Sequence, residues 1–101
     1  MTETAIQKDI IATARNKHHK VYRMNSGGSR VRHGYIHLAE EGTPDLLIVM
    51  SGGRSIWVEV KRPGERPTEI QAKRHRELRN MGHAVTTCCS VEDFLVAISE
   101  L

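Results

Sequence analysis

The chain has 101 residues, with 15 Lys+Arg against 12 Asp+Glu, six His, two Cys and a formal net charge of +3. That length suits one domain, 1–101, with a modest core. No apolar run approaches the ~20 residues of a membrane span and no basic-then-apolar leader opens the sequence, so neither membrane insertion nor secretion is expected.

The first segment, about Glu3 to Lys17, places Ile6, Ile10 and Ala14 at i, i+4 and i+8, which predicts an amphipathic helix capped by Thr2 or Thr4. Val21 to Asn25 and Val31 to Leu38 read as strands joined by a turn at Ser26-Gly27-Gly28. Asp45 to Met50 is a strongly apolar strand, Ser55 to Arg62 is another, and Pro63 to Pro67 is a loop. Thr68 to Met81 reads as a helix, opened by a Thr68-x-x-Gln71 capping box and closed by Gly82. Ala84 to Cys88 is a short strand, and Ser90 caps a last helix carrying Phe94, Leu95 and Ile98. The expected class is α/β, a mixed sheet flanked by helices in the order α-β-β-β-β-α-β-α. Cys88 and Cys89 are adjacent, which disfavours an unstrained disulfide between them and fits a reducing setting. They lack the spacing of a zinc site.

Charge is unevenly spread. No acid occurs from Ile10 to Ala39, where Arg15, Lys17, Lys20, Arg23, Arg30 and Arg32 lie. A second basic cluster includes Lys61, Arg62, Arg66, Lys73, Arg74, Arg76 and Arg79, diluted by three Glu. Two such clusters flanking carboxylates point to a polyanion such as nucleic acid. Arg23, Arg30, Arg32, Arg62 and Lys73 are the candidate DNA contacts.

The chemistry concentrates between them, in Gly42-Thr43-Pro44-Asp45-Leu46-Leu47-Ile48-Val49 and Trp57-Val58-Glu59-Val60-Lys61. Strand interiors of Ile, Val and Leu normally exclude charge. Glu59 and Lys61, two apart on a strand, share a face. A two-residue Gly52-Gly53 loop would pair Asp45 with Val60 and turn Glu59 away. A three-residue Ser51-Gly52-Gly53 loop, with Gly53 left-handed, sets Asp45 directly opposite Glu59 instead. The three-residue loop is expected, because it brings two carboxylates and an ammonium to one point. Opposed carboxylates repel, and a hard divalent cation such as Mg²⁺ relieves that repulsion through oxygen ligands, to which the Val60 carbonyl can add. Glu3 lies on the stripe of Ile6 and Ile10, where it either joins the site or complements the helix dipole. Gln71 either completes the capping box or faces the site. His75 and His83 have no spacing that marks a metal site.

Pro44-Asp45 followed by Glu59-Val60-Lys61 resembles the PD-(D/E)xK nuclease signature. Gly42-Thr43 before it and the helix opening Thr68-Glu69-Ile70-Gln71 after it resemble its virus-type replication-repair nuclease (VRR-NUC) branch. The resemblance covers nearly the whole chain and is similar to stand-alone phage members and Holliday junction resolvases. It implies Mg²⁺- or Mn²⁺-dependent cleavage of DNA, often branched DNA, by a homodimer acting in the cytoplasm of a host cell. It also implies that Asp45 and Glu59 are metal ligands, that Lys61 is the catalytic lysine, and that a Glu of the first helix, here Glu3, joins them. The competing readings are a non-catalytic DNA-binding module of the same fold and a sequence-specific restriction-type nuclease. For the latter, 101 residues leave little surface for base readout.

Overall fold

The computed structural model describes residues 1–24, 29–31, 34–36 and 39–101, with 29–31 and 34–36 described by their backbone alone. Helix α1 (Glu3–Asn16) starts where the Thr2 hydroxyl accepts the Ala5 N–H at 3.1 Å. Its apolar stripe, Ile6, Ile10, Ile11 and Ala14, is buried. The chain then reverses through His18, which holds a left-handed φ of 65°.

Strands β1 (Lys20–Arg23), β4 (Leu46–Val49), β5 (Ser55–Val60) and β6 (Val85–Cys88) form one mixed sheet in the order β1-β4-β5-β6. The first two pairings are antiparallel and the β5–β6 pairing is parallel. The expected class and flanking helices hold. The segment expected as one strand over Val31–Leu38 instead contributes to a separate two-stranded ribbon, β2 (Ser29–Val31) with β3 (Gly34–Ile36). β1 pairs with β4 rather than with the strand that follows it. The apolar run of β4 makes it a central strand, which needs a neighbour on each edge.

Side-chain alternation separates two faces of the sheet. Leu46, Ile48, Ile56, Val58, Val60 and Cys88 share one face and bury against α1 and against Phe94 of α3 (Val91–Ser99). Fully burying each such aliphatic side chain stabilises the fold by about 1.5–3 kcal/mol, so this layer is the main stabilising contact. The other face carries Asp45, Leu47 and Val49 beside Ser55, Trp57 and Glu59, and α2 (Glu69–Asn80) packs on its β5–β6 half. α2 begins with the expected capping box: Thr68 Oγ1 accepts the Gln71 N–H, and Gln71 Oε1 accepts the Thr68 N–H at 2.9 Å. Cys88 and Cys89 are free thiols. No helix among the described residues is long and apolar enough to cross a membrane.

Candidate active site

The β4–β5 hairpin turns through Ser51–Gly53, and Met50 N–H donates to the Arg54 carbonyl at 2.8 Å. Both Gly52 and Gly53 are left-handed, at φ 79° and 75°. The register pairs Leu46 with Val58 and Val49 with Ser55. Continuing it by one pair sets Asp45 opposite Glu59, as the three-residue loop requires. Continuing by two sets Pro44 opposite Val60. Pro44 has no N–H, so the ladder ends there and leaves the Val60 carbonyl without a donor from that strand. The Val60 N–H turns to the side chain next door, donating to Asp45 Oδ2 at 2.7 Å.

Asp45 is therefore held by the backbone of the strand that carries Glu59. The loop before it is fastened from α2. Gly42, at φ 85°, approaches so closely that a Cβ there would lie 2.7 Å from the Ile70 carbonyl oxygen. Arg74 Nε donates to the Glu41 carbonyl at 2.9 Å and lies 2.7 Å from Glu40 Oε1. Sequence reasoning took Arg74 as one charge in a basic cluster; the structure makes it a clamp on the loop that delivers Asp45.

Glu59 is 1% exposed, although it is charged at neutral pH in ordinary surroundings. One oxygen, Oε1, lies 3.1 Å from Nε2 of His75, which is 3% exposed. Sequence reasoning missed His75. No spacing within α2 marks it; its role follows from the docking of that helix over Glu59.

Burial pushes the Asp45 carboxyl up to about 7. A hydrogen bond shared with Glu59 pushes the same way, while the Val60 N–H and the Lys61 charge oppose it. Burial raises Glu59 as well, and the charge of Glu3 adds to that rise. Both acids of the pair are thus held above the ordinary carboxylate range. Lys61 is 8% exposed, and its charge is felt by both acids. Among the described residues, no carboxylate lies within 4 Å of its ammonium. The side chain is packed into the site, yet its cation is uncommitted.

The donors suit a hard divalent cation. Two opposed carboxylates, both pushed up by burial, are a pair whose repulsion a cation can relieve. One oxygen of each carboxylate is held by the protein, Asp45 Oδ2 by the Val60 N–H and Glu59 Oε1 by His75. Among the described residues no three His, Cys, Asp or Glu side chains group around a metal position. Mg²⁺, which commonly takes one or two carboxylates and completes its shell with water and phosphate, is compatible with so sparse a set.

The remaining expected residues fall at different distances from this centre. Glu3 is exposed at the start of α1 and close enough for its charge to act on Glu59. Gln71 spends its side-chain carbonyl on the capping box, so of the two expected roles the structure shows the cap. Arg62, beside Lys61, is exposed and pairs with Glu65. Lys73 is exposed on α2, and Arg23 is exposed on β1. The Arg30 side chain and Arg32 lie outside the described residues. A surface concavity of about 620 Å³ between Lys17, Met50, Arg54, Leu95 and Ile98 sits at the opposite end of the hairpin from the carboxylates. Five residues at ~3.3 Å each separate it from them by about 17 Å.

No family model matches the chain. A relative named "Putative nuclease p44", from Acyrthosiphon pisum secondary endosymbiont phage 1, is 34% identical over 83 residues. The alignment spans 82% of this chain and 77% of that protein. A solved structure described as "VRR_NUC domain" superposes with a TM-score of 0.76 at 23% identity, over 96% of this chain and 94% of its own. Another, "VRR_NUC domain protein", gives a TM-score of 0.71 at 16% identity, over 99% and 87%. The fold, with two carboxylates opposed on one hairpin, is that of the VRR-NUC class of nucleases. The chain belongs to the VRR-NUC family.

Proposed function

We propose that the chain, acting as one nuclease domain over 1–101, is a divalent-cation-dependent endodeoxyribonuclease that hydrolyses phosphodiester bonds in branched DNA. The observation that carries this reading is the pairing of half-buried Asp45 with buried Glu59 across one hairpin, both raised by burial and both within the field of the Lys61 ammonium. Asp45, Glu59 and the Val60 carbonyl would hold Mg²⁺ or Mn²⁺, whose double charge polarises the scissile phosphodiester and makes hydroxide more available near neutral pH.

The protein's own groups do the rest. The Val60 N–H and His75 fix the two carboxylates before substrate arrives, so little reorganisation is needed during the reaction. Lys61, free of carboxylate partners, directs its ammonium to the phosphate, where it orients the attacking water and stabilises the charge that builds on the non-bridging oxygens. Glu3, whose charge reaches Glu59, would be a further residue to help hold the cation. Gln71 acts through the first turn of α2, by capping it.

Arg62 and Lys73 flank the site, with Arg23, Arg30 and Arg32 on the N-terminal basic segment, and we assign phosphate contacts to them. The Arg62–Glu65 pair is exposed, so exchanging Glu65 for a phosphate costs little. A homodimer would present two such sites to two strands, which suits a four-way junction. The phage origin of the p44 relative fits action on DNA in the cytoplasm of a bacterial host.

The test is cleavage of labelled linear duplex, flap and four-way junction DNA with Mg²⁺ or Mn²⁺, by the native chain and by Asp45→Ala and Glu59→Ala. The expected result is that the native chain cuts the branched substrates and that both variants bind DNA without cutting it. Cleavage surviving in either variant would remove that residue from the site. Salt-sensitive DNA binding without metal binding or cleavage by the native chain would favour a non-catalytic module.

A further inference from the structure

We infer that His75 is a positioning residue that presents Glu59 to the cation through a hydrogen bond from its Nε2–H. The inference rests on the metal-nuclease reading above and goes beyond it, because no part of the carboxylate-lysine motif requires a histidine here. The geometry is specific. Nε2 lies 3.1 Å from Glu59 Oε1, and both side chains are buried. Every buried side-chain nitrogen and oxygen among the described residues has a partner, so this contact is part of a fully satisfied site.

A carboxylate at the end of a Glu side chain has three torsions to restrain, and among the described residues no backbone N–H holds Glu59 as that of Val60 holds Asp45. His75 supplies that restraint from the opposing layer. A carboxylate accepts but cannot donate, so Nε2 carries the hydrogen that holds Glu59.

The neighbouring residue explains why the donor sits on α2. Arg74 clamps the loop that delivers Asp45, and His75 holds Glu59. Two consecutive residues of one helix thus set the two carboxylates relative to each other, and the capping box that starts the helix fixes where they fall. Outer partners that orient metal ligands typically change metal affinity about 10–100-fold when removed.

The experiment compares the native chain with His75→Gln, His75→Asn and His75→Leu, reading Mn²⁺ affinity by electron paramagnetic resonance of the free ion, without DNA. Unfolding midpoints are measured in parallel. A Gln amide nitrogen reaches the position of Nε2, an Asn amide falls short of it, and Leu fills the space without a donor. The expected order is native and His75→Gln within about threefold of each other, with His75→Asn and His75→Leu about 10–100-fold weaker. Steady-state cleavage should show the same order in the Mn²⁺ concentration needed for half-maximal rate, with KM for DNA unmoved. Equal Mn²⁺ affinity in all four proteins overturns the inference alone. His75→Gln falling with His75→Leu also overturns it, since ring shape and not the donor would then matter. If His75→Leu fails to fold, the Gln–Asn contrast still decides. A native chain that binds no Mn²⁺ overturns the metal-nuclease reading, and this inference with it.

Discussion

Replacing Asp45 by Asn should abolish a pH dependence of stability that the metal-free site imposes on the native chain. The Asp45 carboxyl moves from 3.8 to about 7 on folding, chiefly because it is buried beside Glu59. A raised carboxyl binds its proton more tightly when folded, so the stabilisation is present at low pH and is lost as pH climbs from about 4 to 7. At about 1.4 kcal/mol for each tenfold change in affinity, the ceiling is about 4 kcal/mol. Glu59, raised by the same burial, contributes in the same direction. His75, which burial lowers, contributes with the opposite sign as pH rises toward 6.5, and is present in both proteins. Asn is shaped like the protonated acid: its oxygen can keep the Val60 N–H and its amide can donate to Glu59. Urea unfolding in EDTA at intervals from pH 4.5 to 8.5 measures the effect. The native chain should lose several kcal/mol relative to Asp45→Asn across that window, and Mg²⁺ should restore the loss at pH 8.5 in the native chain only. Parallel curves for the two proteins would refute the burial-raised Asp45 carboxyl.

Other expectations follow from single contacts. Lys61→Met should cut the cleavage rate about 10²–10³-fold while leaving Mn²⁺ affinity near native, as removing one charge-stabilising donor does; single-turnover kinetics with a metal titration checks both halves. Gly42→Ala should destabilise by about 2–3 kcal/mol, because it meets the Ile70 carbonyl at 2.7 Å and forces φ 85° on an L side chain. Its cleavage rate should fall too, since the loop it distorts delivers Asp45. His18→Gly should stabilise by about 1 kcal/mol by relieving the left-handed φ of 65° just past the end of α1. Thr68→Ala should cost about 1 kcal/mol through the lost cap. Thermal or urea unfolding decides all three stability changes.

The carboxylate pair was legible because hairpin register is local. Ser51-Gly52-Gly53 sets the loop length, alternation sets the face, and together they place Asp45 opposite Glu59 without any distant contact. Both later helices were legible for a similar reason, since Thr68, Gln71 and Ser90 are cap residues acting within three positions. The long-range parts were not. Pairing β1 with β4 spans more than twenty residues, and local reading favours neighbours in sequence. Gly34 opens a new strand inside what alternation alone made one, where a glycine marks an interruption. His75 stayed hidden because its meaning depends on the docking of α2 over Glu59, which no spacing within the helix records. Arg74 hid among surface charges until the loop at Gly42 was seen beneath it.

The net charge of +3 named no partner, because it averages two basic clusters with an opposed acidic pair. The central claim is that this pair, with Lys61, is a cation-dependent nuclease site. The most direct measurement is strand cleavage of a labelled four-way junction by the native chain, Asp45→Ala and Glu59→Ala, each with Mg²⁺, with Mn²⁺ and with EDTA. The expected result is cleavage by the native chain with either metal, none in EDTA and none by the variants. Cleavage in EDTA, or undiminished cleavage by either variant, would contradict the claim.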